Sequence, residues 1–254
     1  MTIEFSTGIL YAFLLVLARV AGLIAFLPIP GFRAAPDTVR IVLALAITLA
    51  LFPVWPVLPN TFPSIGQLAM WAFSEAGLGL LAGLAVSFLT EGFQIAAQVA
   101  GLHAGYGYAS TIDPNSEADS TVLQVMASLS TALLFFTTGL DHELIRVLAA
   151  SFARFPAGTW APAAAGLDGV IRLGSAMLST GLRLAFPILA LLLLIDLALA
   201  LVGRVQQQLQ LLSVAFPGKM AVALAMMAAL APAAPKVFTA ESQRMLAALW
   251  RALS

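Results

Sequence analysis

Long apolar segments with very few charges constrain the fold of this chain more than any other feature of its sequence. Of its 254 residues, 61% are hydrophobic and 9% are charged, whereas soluble domains carry about 25% charged residues. So few charges cannot cover a water-exposed surface, and lipid or apolar protein must therefore cover much of it. Since no polar stretch is long enough to fold alone, we predict an all-α, polytopic protein with a single membrane domain over residues 1–254.

Six apolar segments are candidate membrane helices, because a span needs about 20 mostly apolar residues. In chain order they are Ile9–Ile29, Val39–Leu51, Leu68–Gly101, Val122–Gly139, Ile171–Val202 and Leu211–Ala234. The second is short, the third is longer than a bilayer core, and Pro217 is predicted to break the sixth. Six alternating spans do not satisfy the positive-inside rule, so either some segments do not span or the count is wrong. A short amphipathic helix is predicted at Ala240–Leu253.

The charge balance and the missing motifs exclude several classes of function. Twelve basic residues balance twelve acidic ones, so no basic patch indicates nucleic acid as a partner. The chain has no cysteine, which excludes disulfides and thiolate metal sites. It lacks G-x-S-x-G, P-loop and HExxH motifs, and neither His103 nor His142 has the neighbours of a metal site. We therefore predict no enzyme activity, no cofactor and no metal.

Charged side chains inside apolar segments need a partner or water, because a charge at mid-bilayer costs at least about 2.5 kcal/mol. Five residues are in this position: Arg19, Glu75, Glu91, Arg183 and Asp196. We interpret them as polar contacts between helices, and a proton or ion path is the alternative.

Small residues along the third segment predict close helix packing. Gly77, Gly79 and Gly83 line up on one helix, and the last two form a small-xxx-small pattern that lets helix backbones approach. The pattern indicates packing without identifying the partner.

The clearest loop is the glycine-rich and acidic stretch Gly101–Ser120. Gly105 and Gly107 permit tight backbone geometry, and Asp113-Pro114 favours a turn. From the residues alone, a solvated connector is the favoured interpretation.

Several stretches, taken in order, resemble the FliR family of flagellar biosynthetic proteins, components of the type III export apparatus. The resemblance runs from Arg19 to about Pro235. Its stretches are residues 28–46, 75–83, 96–114, 134–156 and 187–219. The strongest single stretch, residues 96–114, resembles the family's glycine-punctuated helix end that leads into an Asp-Pro loop. Gln98, His103 and Gln207 depart from the family pattern, which puts roles for these three side chains in doubt.

The resemblance implies a core subunit of the flagellar protein export gate in the bacterial inner membrane, at the basal body. Its implied partners are FliP-like, FliQ-like and FlhB-like subunits, membrane lipid and the unfolded flagellar proteins that are exported. The implied fold is a FliP-like part over residues 1–165 followed by a FliQ-like helical hairpin over residues 166–254. In the family, helices are lifted out of standard spanning positions.

The resemblance also implies that the loop after the third helix is a plug that closes the pore. The residues that it places in the plug are Gly105, Tyr106, Gly107, Tyr108, Ile112, Asp113, Pro114 and Glu117. Three alternatives stay open. They are the equivalent gate subunit of a virulence-type injectisome, a small proton-coupled transporter using Glu75, Glu91 and Asp196, and an assembly factor that does not line the pore.

Overall fold

The computed structural model describes residues 7–27, 36–58, 64–106, 122–160, 164–205 and 211–253. All regular structure in these ranges is helical, so the all-α prediction is confirmed there. The α-helices are α1 (Thr7–Phe26), α2 (Asp37–Ala50), α3 (Ile65–Ala104), α4 (Val122–Thr137), α5 (Leu140–Arg154), α6 (Ala164–Val205), α7 (Leu211–Leu230) and α8 (Ala234–Leu253). Two 3-10 turns, Phe52–Val54 and Ala231–Ala233, follow α2 and α7.

Among the residues that the structure describes, four helical stretches have the length and composition to cross a membrane. They are Thr7–Phe26, Ile65–Ala104, Asp168–Arg204 and Ala215–Leu253. Helices α4 and α5 pass the same test together but meet at a 61° bend, beside Gly139 with its φ of +74°. Some of the six candidate segments therefore do not span alone, which is one of the two alternatives stated above. Helix α2 has only 14 residues, and Val122–Gly139 qualifies only together with α5.

The predicted break at Pro217 is also wrong, since α7 continues through this residue. A proline inside a helix removes one hydrogen bond, here to the carbonyl of Ser213. Breaking the helix in an apolar segment would leave more backbone groups without partners in lipid, which costs more. Helix α8 likewise begins at Ala234, earlier than the predicted Ala240.

The chain forms two compact units. The first comprises Met1–Phe88, Phe135–Gly174 and Ser242–Ser254, and the second comprises Leu89–Leu134 and Ser175–Glu241. In the first unit, α1 buries one stripe of side chains at helical spacing, which includes Leu15, Arg19 and Leu23.

The core of the second unit is built on small residues of α3. Its buried members are Ala97, Ala100, Ala104, Leu123, Ile188, Leu192 and Ala223. The three alanines of α3 recur every three or four residues, so they share one face. Their short side chains let larger ones from the other helices fill the space against α3.

Candidate functional site

A buried ion pair joins α1 to α3 in the first unit. The Arg19 Nε atom lies 2.5 Å from the Glu75 Oε2 atom, and the two side chains are 1% and 0% exposed. Removing two charges from water is costly, and it is offset only when further hydrogen bonds satisfy both groups. The surroundings of each charge therefore decide whether this pair stabilises the fold.

The two terminal nitrogens of the Arg19 guanidinium each donate a hydrogen bond, one to α5 and one to the residue after it. The acceptors are the Ser151 hydroxyl at 2.8 Å and the Phe155 carbonyl at 3.0 Å. The Phe152 ring packs against the guanidinium with its centroid 4.0 Å from the Arg19 Cζ atom, a distance typical of a cation–π contact. One arginine thus connects α1, α3 and the end of α5.

The second oxygen of Glu75 holds the turn that follows α5. Glu75 Oε1 accepts a hydrogen bond from the Gly158 backbone N–H at 2.9 Å. Gly158 has a φ of +74°, and a Cβ atom there would overlap the Trp71 ring. Only glycine fits this position without strain. Both carboxylate oxygens of Glu75 therefore have a partner, one a cation and the other a backbone N–H. This arrangement suits a structural contact between helices better than a proton relay.

Glycines let α1 approach α3 closely enough to form this pair. A Cβ atom on Gly79 would overlap the Arg19 carbonyl oxygen and lie 2.8 Å from the Leu23 nitrogen. One on Gly83 would overlap the Leu23 carbonyl oxygen, and one on Gly22 would overlap that of Ala76. These glycines therefore lie where the two helix backbones meet.

Gly77 lies against a tryptophan ring, whereas Gly79 and Gly83 lie against the backbone of α1. A Cβ atom on Gly77 would lie 3.0 Å from the Trp160 ring, and the Ser74 hydroxyl donates to the Trp160 carbonyl. At Gly77 and Ser74, α3 therefore packs against the segment between α5 and α6 and not against another helix backbone.

A second ion pair joins α6 to α7 in the second unit. Lys219 Nζ donates to both carboxylate oxygens of Asp196, at 2.8 and 2.9 Å. The lysine side chain is 12% exposed and the aspartate side chain 44% exposed. Neither charge is left alone in its apolar helix, as the cost of an isolated charge in lipid requires.

The start of the glycine-rich loop is attached to α7. Gly105 has a φ of +93°, and the Tyr106 hydroxyl donates to the Met220 carbonyl at 3.2 Å. Burial raises the pKa of the Tyr106 phenol above its usual value of 10.0, so the hydroxyl stays protonated and able to donate at neutral pH. The other predicted plug residues, Gly107, Tyr108, Ile112, Asp113, Pro114 and Glu117, lie outside the described residues.

Replacing Gly105 with alanine is expected to destabilise this attachment. The positive φ alone costs alanine about 1–2 kcal/mol, and the added Cβ atom would also lie 2.7 Å from the Phe216 ring. Gly139 is a matched control, because it has a φ of +74° with nothing within 4 Å of an added Cβ. Thermal unfolding in detergent should show a larger loss for Gly105→Ala than for Gly139→Ala. Equal losses would mean that the Phe216 contact is unimportant.

The remaining singled-out charges occupy separate places. Glu91 is half-buried on α3, and Arg183 is exposed on α6. His142 lies in the first turn of α5, with its Nδ1 atom 3.0 Å from the Asp141 Oδ1 atom. Among the described residues, no group of three or more metal-ligating side chains occurs.

Sequence reasoning missed several members of both clusters. It did not name Lys219 as the partner of Asp196, and it did not place Ser151, Gly158 or Gly22 beside the Arg19 pair. Only Lys219 could have been found from the sequence. It is a lone cation in the sixth apolar segment, and the fifth segment contains the acid Asp196, which needs a partner.

Comparison with known proteins identifies the family. The family described as "Bacterial export proteins, family 1" matches residues 10–245. Flagellar biosynthetic protein FliR of Escherichia coli strain K12 is 32% identical over 217 residues, covering 85% of this chain and 82% of that protein. FliR of Pectobacterium carotovorum is 30% identical over 218 residues, covering 85% and 83%. FliR of Bacillus subtilis strain 168 is 28% identical over 219 residues, covering 85% and 84%. The chain therefore belongs to the bacterial export proteins of family 1, the family of the flagellar biosynthetic proteins FliR.

Proposed function

We propose that this chain is a core subunit of the flagellar type III protein export gate. It forms the protein-conducting channel with FliP-like and FliQ-like subunits, an FlhB-like subunit binds against the assembly, and unfolded flagellar proteins pass through it. The family match over residues 10–245 carries this proposal. Membership makes the chain a multi-pass component of the flagellar export apparatus in the bacterial inner membrane, and a transport component rather than an enzyme.

Unequal burial of the candidate spans supports a multi-subunit channel. The most apolar window of Ile65–Ala104 is 56% buried, whereas those of Asp168–Arg204 and Ala215–Leu253 are 17% and 11% buried. The last two spans therefore have large surfaces available for neighbouring subunits or lipid.

A FliQ-like hairpin over residues 166–254, after a FliP-like part over residues 1–165, is the proposed organisation. Two contacts between α6 and α7 support the hairpin. Leu192 shares a core with Ala223, and Asp196, farther along α6, pairs with Lys219, earlier on α7. Contacts that advance in opposite directions along two helices indicate an antiparallel pair.

The loop that begins at Gly105 is proposed to plug the closed pore. Its first residues are attached to α7 through the Tyr106 hydroxyl, and the acids Asp113, Glu117 and Asp119 favour a hydrated pore over lipid. An anchored base with a glycine-rich continuation suits a segment that moves while its attachment stays in place.

Deleting Ile112–Glu117 is expected to raise ion leakage through the assembled gate, because a shortened loop cannot fill the pore. The measurement is the conductance, or the ion sensitivity of growth, of cells that express the complete complex. Tyr106→Phe keeps the loop length and removes only the hydroxyl that attaches the loop to α7, so it should raise leakage less than the deletion. Unchanged conductance in an assembled deletion variant would contradict the plug.

Co-purification tests the proposed function directly. Affinity isolation of the full chain, expressed with the FliP-like and FliQ-like proteins of its own organism, should recover all three in one detergent complex. Recovery as a lone stable monomer would contradict the gate. A transporter would instead move a solute when reconstituted alone, but Glu75 and Asp196, two of the acids that it needs, already have cationic partners.

A further inference from the structure

Two residues of α7 hold the base of the glycine-rich loop. The Tyr106 hydroxyl donates to the Met220 carbonyl at 3.2 Å. The Phe216 ring lies against Gly105, 2.7 Å from the place where a Cβ atom would be. Phe216 and Met220 are four positions apart, so they lie on one face of α7. The position of the loop base therefore depends on the position of this one turn of α7.

This turn of α7 is weak as a helix on its own. Pro217 has no N–H for a helical hydrogen bond, and Gly218 is a poor helix former. Both residues are exposed, and nothing lies within 4 Å of a Cβ atom at Gly218. The turn therefore depends on the contacts of its partly buried side, where Phe216, Lys219 and Met220 lie.

The Asp196–Lys219 ion pair supplies a strong contact on that side. Lys219 lies directly before Met220, and its Nζ atom donates to both carboxylate oxygens of Asp196 on α6, at 2.8 and 2.9 Å. Ile195, next to Asp196, packs against the same core of the second unit as Tyr106 does. The pair therefore connects the turn that holds the loop base to this core.

We propose that the Asp196–Lys219 ion pair is a positioning contact for the plug. It fixes the turn of α7 that holds Gly105 and Tyr106, and it thereby keeps the loop in the closed pore. A pair that only neutralised two charges could lie at any level of α6 and α7, whereas this one lies one residue from the carbonyl that Tyr106 binds. The inference rests on the proposed function, because it requires the loop to be a plug.

Hydrogen–deuterium exchange in the complete co-expressed complex tests the positioning directly. The Gly105 N–H donates to the Leu102 carbonyl and the Tyr106 N–H donates to the Gly101 carbonyl, so both amides report on the loop base. Asp196→Asn keeps the size of the side chain and removes its charge. It should speed exchange of these amides at least about tenfold, since a charge-assisted hydrogen bond contributes more than the roughly 1.4 kcal/mol that corresponds to this factor. Asp196→Glu keeps the charge and should retain most of the protection.

Two controls separate positioning from general damage. Thr180→Val removes another polar contact of α6 in the same unit, the hydrogen bond to Glu241 at 3.3 Å, and it should leave exchange at the loop base unchanged. The double variant Asp196→Asn with Lys219→Met leaves no charge unpaired, so it should be more stable in detergent than Asp196→Asn. Its loop base should still exchange about tenfold faster than wild type, because the contact that fixes the turn is missing. If Asp196→Asn does not assemble, the double variant provides the same test.

Ion leakage connects the contact to the plug. Asp196→Asn should raise leakage through the assembled gate. Adding Tyr106→Phe should raise it little further, because both changes release the same attachment, and changes within one network are not additive. Additive effects would mean that the pair acts elsewhere in the chain, and they would overturn the inference.

The outcomes separate this inference from the proposed function. Unchanged exchange and leakage in Asp196→Asn, in a gate that leaks when Ile112–Glu117 is deleted, would overturn the positioning contact and leave the plug intact. If the deletion itself causes no leakage, the plug is overturned and the inference with it.

Discussion

Replacing Glu75 with leucine is expected to destabilise the folded chain by about 3–5 kcal/mol, the range for breaking one side of a buried ion pair. The substitution leaves the Arg19 charge 1% exposed without its carboxylate and removes the acceptor of the Gly158 N–H. The melting midpoint in detergent should fall by roughly 6–20 °C, the scaling for a chain of this size. Thermal unfolding monitored by size-exclusion chromatography measures this change.

Two further variants isolate the cause of this loss. The double variant Arg19→Leu with Glu75→Leu should recover part of the stability, because apolar replacement of a buried pair removes the uncompensated charge. Recovery stays incomplete, since the Ser151 oxygen loses the Arg19 donor and the Gly158 N–H loses its acceptor. Arg172→Leu breaks an exposed pair with Asp168, which is worth only about 0.3–0.5 kcal/mol. If Glu75→Leu proves as mild as Arg172→Leu, the buried pair does not hold the first unit together.

Replacing Gly79 with alanine is the second change with a large expected effect. One added methyl group would overlap the Arg19 carbonyl oxygen and approach the Leu23 nitrogen to 2.8 Å. Backbone atoms cannot turn aside as a side chain can, so α1 must move away from α3. We expect a loss at or above the upper end of the 1–3 kcal/mol typical of overpacked sites.

Gly66→Ala is the matched control for Gly79→Ala, because it makes the same change in the same helix. Nothing lies within 4 Å of a Cβ atom at Gly66, and alanine is the better helix former by about 0.5–1 kcal/mol. Gly66→Ala should therefore be neutral or slightly stabilising. Similar melting midpoints for the two variants, measured in one detergent, would show that α1 does not pack on α3 as described.

The positions of the helices were predicted from the sequence more successfully than the contacts between them. The apolar pattern placed the start of α4 at Val122, as observed, and most other helix ends within a few residues. It failed at Pro217, because proline was treated as a breaker and the cost of unpaired backbone in an apolar segment was given too little weight. It also gave six candidate spans where four helical stretches of the described residues have the required length. Val39–Leu51 forms only the 14-residue α2, and Val122–Gly139 qualifies only as part of a helix pair bent by 61°.

The sequence predicted that the charged residues of the candidate site need partners, but it did not predict which residues those partners are. The cost of charge in lipid indicates from sequence alone that Arg19 and Asp196 need partners. It does not indicate which partners, because Arg19 meets Glu75 across 56 positions of sequence. The partner depends on which faces of two helices come together.

The sequence alone determined that this chain is helical, that it lies in a membrane and that its few charges must be paired, because burial of apolar surface and local hydrogen bonding depend on composition and short-range pattern. Only the tertiary structure decided that Glu75 lies between Arg19 and Gly158 and that Lys219 neutralises Asp196. It also showed Gly22 opposite Ala76 of α3. These are contacts between distant segments, and their geometry is set by how closely the helix backbones approach.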